Sequence, residues 1–152
     1  MQSNGQWRFT PPTHVIAAFH QALLEHAAEG GVAGRGARYR HNGEILINGM
    51  REMGFVSLLP DFLQAPIIVT FHMPVDPRFD FQHFYDRLNS QGYVIYPGKL
   101  TVVDSFRIGC IGHLGDSEIN GALQAIRTTI NEMGVTDCGP QRVEMSSKKS
   151  VT

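Results

Sequence analysis

Apolar residues recur at Ile16, Phe19, Leu23 and Leu24, a spacing of three to four that predicts an amphipathic helix from Thr13 through Ala28. Thr13 is its predicted N-cap, and Gly30 with Gly31 stops it. A second helix is predicted from Val32 or Arg35 to Met53. Tyr39, Ile45, Leu46 and Met50 mark its stripe, and Gly54 suits the left-handed C-terminal position. Gly34, Gly36, Gly43 and Gly49 oppose it, each by about 0.5–1 kcal/mol relative to alanine, so this helix must rely on packing against neighbours.

The pattern then changes period. Ile67, Ile68, Val69, Thr70 and Phe71 form a β-branched and aromatic run bounded by Pro66 and Pro74, which predicts a strand. Residues 79–89 return to helical spacing with Phe81, Phe84, Tyr85 and Leu88 inward, and Gly92 ends that helix. Residues 93–96 predict a second strand, turned by Pro97 and Gly98, and residues 105–110 predict a third. Gly109 and Gly112 lead to a last helix over residues 117–133, with Asp116 or Ser117 as its cap. Ahead of all this, GQWRFTPPT is an extended strap, because Pro11 and Pro12 lack amide donors and Pro11 pushes Thr10 toward extended backbone.

This order divides the chain into a strap (residues 1–13), a folded domain (14–134) and a polar tail (135–152) without periodicity, expected to be disordered. The element order β-α-β-β-α behind two leading helices fits an α+β two-layer sandwich. Its sheet is small and mainly antiparallel, with the helices on one face.

Composition narrows the chemistry. With 152 residues, 42% of them hydrophobic, the chain can bury a core as one domain. Thirteen basic against fourteen acidic groups leave no broad cationic surface for a phosphate backbone, so no nucleic-acid partner is expected. No apolar run approaches the roughly 20 residues that span a bilayer, and MQSNGQWRF has neither charged leader nor apolar core. The expectation is a cytoplasmic protein with no membrane partner. Cys110 and Cys138 lack metal-ligand spacing, the seven histidines are scattered without an HExxH pair, and no metal site is expected. A GxSxG elbow is absent, which places hydrolase chemistry low.

Two residues stand out. Arg107, in FRIGCIG, puts a guanidinium on a short strand followed by two glycines that allow close approach of a ligand. Its planar fork matches a pair of carboxylate or phosphonate oxygens. Taken alone, an ordinary surface arginine or a partner of Asp104 is the simpler account. Thr10 lies in WRFTPPTH, where stiff extended backbone could present its hydroxyl to a phosphate. A proline-stiffened linker with Trp7 and Phe9 packed on a neighbouring surface explains that stretch as well. Arg8 could add charge there. Lys99 in YPGKL could reach an anion or merely solvate a turn, since the loop lacks the upstream glycine and following Ser or Thr of a phosphate loop.

The strap WRFTPPTH, the turn GYVIYPGK and the strand FRIGCIG stand in an order that resembles the C-terminal part of the 2-aminoethylphosphonate:pyruvate transaminases. These are class V, fold type I aminotransferases that use pyridoxal 5'-phosphate. The resemblance covers residues 3–134, including the EGGV between the two leading helices. It implies the small domain of such an enzyme, the cofactor pyridoxal 5'-phosphate, the substrates 2-aminoethylphosphonate and pyruvate, and a homodimer with active sites at the subunit boundary. It implies that Arg107 binds the acidic group of the substrate and that Thr10 reaches across the dimer to the cofactor phosphate.

The Schiff-base lysine of the family precedes the strap motif. Of the three lysines here, Lys148 and Lys149 lie in the tail and Lys99 does not match it, so no catalytic residue is assigned and the chain alone is expected to be inactive. Two alternatives remain: another class V aminotransferase, such as a serine or alanine:glyoxylate enzyme, and a noncatalytic binding or dimerisation module.

Overall fold

The computed structural model describes residue 5, residues 7–98 and residues 103–140. Lys99, Lys148 and Lys149 lie outside the described residues. The elements are helices α1 (Thr13–Ala28) and α2 (Gly31–Glu52), a 3-10 turn (Asp61–Leu63), strand β1 (Ile68–His72), helix α3 (Phe81–Ser90), strands β2 (Tyr96–Pro97) and β3 (Ser105–Gly109), and helix α4 (Asp116–Glu132). The chain divides into two compact units, Met1–Arg38 and Tyr39–Thr152. The boundary between the units falls inside α2.

In the first unit the predicted helix forms with its predicted bounds, but no side chain caps it and none of its residues is buried. Ile16, Phe19, Leu23 and Leu24 stay exposed, as do Trp7 and Phe9. Glu29 joins this helix to the next by accepting hydrogen bonds from Arg38 Nε (2.5 Å) and Arg35 Nε (2.7 Å). Those two bonds hold its carboxyl down at about 2.

The second unit contains the sheet. Its order is β1-β3-β2, all antiparallel. Period-two alternation sends Val69 and Phe71 of β1 and Phe106 and Ile108 of β3 into the core, where they meet Leu46 and Met50 of α2, Phe84 and Leu88 of α3, and Ile126 of α4. Phe106 is the hub, with ring centroids 5.7 Å from Phe55, 5.8 Å from Phe71, 6.2 Å from Phe81 and 5.7 Å from Phe84. Each fully buried phenylalanine contributes about 2–3 kcal/mol by leaving water. That outweighs the helix penalty of any single glycine in α2.

Close approach explains two of those glycines, by local backbone at Gly34 and by packing against α4 at Gly49. A Cβ on Gly34 would stand 1.9 Å from the Glu29 carbonyl oxygen, and one on Gly49 would stand 2.4 Å from Leu123 Cδ1. The predicted second strand shrinks to two residues, since only Tyr96 and Pro97 pair with β3. Helix α4 begins at Gly115, not at a hydroxyl or carboxylate cap. Glu118 Oε2 reaches back to accept the Gly115 N–H at 2.9 Å, which lowers its carboxyl.

The expected tail is shorter than its sequence suggests. Residues 134–140 are docked, with Val135 and Cys138 buried. Asp76, itself 6% exposed, accepts from the Thr136 N–H at 2.9 Å and the Asp137 N–H at 3.3 Å, and from Arg78 Nη2 at 2.6 Å. Residues 141–152 lie outside the described residues.

Candidate functional site

Arg107 occupies the centre of β3, the middle strand of the sheet. Because Phe106 and Ile108 point into the core, Arg107 falls on the opposite face, away from the helices. Antiparallel register sets Thr70 directly across from it on β1 and Tyr96 directly across on β2. Residues paired in this way share a face, so Thr70, Arg107 and Tyr96 form one row across all three strands. The adjoining row holds His72 opposite Ser105. On its other side the row is followed by Ile68 opposite Gly109, so the polar groups of this face gather at its centre and at the His72 end.

The guanidinium is half-buried and has no carboxylate partner among the described residues. Nη2 donates to the Pro97 carbonyl at 3.4 Å, a long contact that draws the head group toward β2. Nε is buried and has no acceptor among the described residues. The pairing with Asp104 considered from the sequence does not form. Instead the Asp104 carbonyl accepts the Met73 N–H at 3.0 Å. A buried donor without an acceptor costs about 1–3 kcal/mol, which a structural arginine would ordinarily avoid by pairing. The arrangement suits reversible capture of an oxyanion.

Close backbone approach shapes one end of this face. The Gly98 N–H donates to the Ser105 carbonyl at 2.7 Å. A Cβ on Gly98 would meet Ser105 Oγ at 2.1 Å and that carbonyl oxygen at 2.6 Å. Only glycine fits the turn next to Tyr96. Behind the strand, Asn42 of α2 donates to the Leu114 carbonyl at 3.0 Å and the Cys110 carbonyl at 3.4 Å, tying the segment after β3 to the long helix.

Thr10 belongs to the first unit. It is exposed on the irregular strap, two residues after Arg8, whose guanidinium stacks over the Phe9 ring at 5.5 Å. Its hydroxyl is free to donate among the described residues. Such a group fits one oxygen of a phosphate, though it offers no covalent anchor for a cofactor.

A separate cleft of about 410 Å³ opens between α2 and the segment 61–66, lined by Arg40, Glu44, Ile47, Arg51, Asp61 and Gln64 among others. It includes no residue of the Arg107 row. The Arg51–Asp61 ion pair raises the arginine and lowers the aspartate.

The sequence named Arg107 as a candidate but did not name Thr70, Tyr96, His72 and Ser105, which the register sets beside it. The outward-facing alternation in VTFH and SFRIG was a usable signal, but it needs the strand register before it names neighbours.

Comparison with known proteins places this geometry in context. No protein-family model matches the chain. It is 54% identical over 137 residues to a 2-aminoethylphosphonate–pyruvate transaminase of Pseudomonas fluorescens, covering 90% of this chain and 37% of the relative. A transaminase with the same name from Rhizobium meliloti is 49% identical over 148 residues, covering 97% and 39%. The chain therefore spans about 37% of the length of the curated relatives it matches.

Among solved structures, the alanine–glyoxylate aminotransferase of Nostoc sp. superposes with a TM-score of 0.74 at 21% identity, over 84% of this chain and 34% of that one. The pyridoxamine–pyruvate aminotransferase of Mesorhizobium loti gives 0.73 at 22% identity, over 85% and 33%. These likenesses show the fold: the α+β arrangement of this chain superposes on about a third of each of those two chains.

Proposed function

We propose that this chain, homologous to part of the 2-aminoethylphosphonate–pyruvate transaminases, is the C-terminal small-domain part of such an enzyme. The complete enzyme would move an amino group from 2-aminoethylphosphonate to pyruvate, giving phosphonoacetaldehyde and L-alanine. It would act as a cytoplasmic homodimer. The observation that carries this reading is the 54% identity over 90% of the chain, and the buried Arg107 Nε, without an acceptor among the described residues, agrees with it.

Arg107 would bind the anionic end of the amino donor and orient its amine toward the chemistry contributed by the rest of the enzyme. Its fork supplies two parallel charge-assisted hydrogen bonds. Thr10 would donate its hydroxyl to the phosphate of pyridoxal 5'-phosphate held across the subunit boundary. That cofactor, when bound, supplies the electron sink for amino transfer. No lysine of this chain matches the family's Schiff-base position, so the described residues bind and position while the covalent work belongs to the part that this chain does not contain. The chain alone is then inactive.

The test is a transaminase in which this chain is joined to the remaining portion of the Pseudomonas fluorescens relative. Arg107→Lys is expected to lower kcat/KM for 2-aminoethylphosphonate roughly 10- to 100-fold, the scale of a lost hydrogen-bonded charge contact, with Tm nearly unchanged. Equal activity of the two forms would remove Arg107 from the site. Alanine or serine with glyoxylate as the preferred pair would replace this reading with another class V aminotransferase, to which the Nostoc fold likeness at 21% identity lends only architecture.

A further inference from the structure

We propose that Tyr96 is a specificity residue, whose hydroxyl supplies the hydrogen bond that lets this face prefer a tetrahedral phosphonate to a planar carboxylate. The inference rests on the reading of Arg107 as the anion grip and adds to it a reason for the choice of anion.

The argument begins with geometry. A carboxylate has two oxygens, and one guanidinium fork satisfies both in its own plane. A phosphonate has three oxygens arranged tetrahedrally. When the fork holds two of them, the third projects out of the guanidinium plane and needs a separate donor. The sheet places two hydroxyl-bearing residues on the same face as Arg107, Thr70 on β1 and Tyr96 on β2, each directly opposite it in register.

Two observations favour Tyr96 over Thr70. The contact from Arg107 Nη2 to the Pro97 carbonyl pulls the head group toward β2, and Pro97 immediately follows Tyr96. Tyr96 is also 54% exposed, and a tyrosine side chain is long enough to hold its hydroxyl well clear of the backbone. Gly98 and Ser105 hold the end of β2 by close backbone approach, so the tyrosine is mounted on a constrained edge rather than on a free loop. A threonine hydroxyl, one bond from Cβ, stays close to the sheet.

The experiment uses the full chain and two probes that share an aminoethyl group, 2-aminoethylphosphonate and 3-aminopropanoate. Titration is followed by NMR at the Nε–Hε resonance of Arg107, assigned by its loss in Arg107→Lys. The expected result is a saturable shift with both probes and tighter binding of the phosphonate. Tyr96→Phe should weaken phosphonate binding about five-fold, the scale of one hydrogen bond, and leave carboxylate binding unchanged. Thr70→Val should leave both unchanged. A preserved amide fingerprint in each variant shows that the fold is intact.

An unchanged phosphonate-to-carboxylate ratio in Tyr96→Phe would overturn this inference while leaving Arg107 as the anion grip. So would an equal loss for both probes. An Arg107 resonance that moves with neither probe would sink the functional reading together with it.

Discussion

Asp76 shows how much one side chain can organise. It is nearly sequestered from water yet ionised, because the Arg78 guanidinium, three backbone N–H groups (Arg78, Thr136 and Asp137) and the Thr136 hydroxyl all donate to it. These donors hold its carboxyl far below the ordinary aspartate range, with the Arg78 bond the largest cause. A carboxyl depressed in the folded state stabilises the fold above its unfolded pKa of about 4. That stabilisation is lost as pH falls from there toward the folded value. Asp76→Asn is therefore expected to lower Tm at pH 7 by roughly 5 °C and to flatten the fall of Tm below about pH 4. Melting curves of both forms between pH 2 and 8 would check this; parallel curves would show that Asp76 does not anchor the segment after α4. The neighbouring Cys138 thiol, pushed up to about 11 chiefly by burial, is a packing residue rather than a nucleophile.

Glycines decide the fit between elements. Substituting Gly98 by alanine would drive a methyl carbon against Ser105 Oγ and its carbonyl oxygen, with separations of 2.1 and 2.6 Å before relaxation. Relief requires β2 to move away from β3, because a backbone oxygen cannot step aside as a flexible side chain can. Gly98→Ala should accordingly weaken the Tyr96–Arg107 pairing while α3 and α4 stay packed. Amide hydrogen exchange should show lost protection at Gly98, with α4 protected as before; unchanged protection at Gly98 would refute the close-approach account. Gly49 differs, since the obstruction there is Leu123 Cδ1, the movable end of a side chain.

At the scale of the molecule, the two units have different characters. Unit Tyr39–Thr152 encloses a core around Phe106, whereas α1 in unit Met1–Arg38 buries none of its residues. A helix with Phe19, Leu23 and Leu24 on its surface gains little from the hydrophobic effect on its own. The chain also spans about 37% of the length of the relatives it matches, and the proposed function leaves the covalent chemistry to the remainder. Mixing the chain with pyridoxal 5'-phosphate and borohydride should then give no stoichiometric lysine adduct by mass spectrometry. Saturable single-site labelling at Lys99 would contradict the proposed division of labour. Among the described residues no helix is long and apolar enough to cross a membrane.

Local periodicity was enough to locate both leading helices, the strand around Val69, the strand carrying Arg107 and the last helix, each within a few residues of its predicted bounds. The sequence also singled out Arg107 as a candidate, a guanidinium on a short strand followed by Gly109 and Gly112. What only tertiary structure decided were relations between residues far apart in the chain. Whether Tyr96 and Thr70 flank Arg107 depends on strand register, and whether Val135 and Cys138 enter the core depends on hydrogen bonds to Asp76, about sixty positions earlier. Periodicity reports which face of an element is apolar, since that follows from a side chain's direction along its own backbone. It carries no information on which other face that element meets, because pairing and docking are settled by the combined fit of many distant side chains.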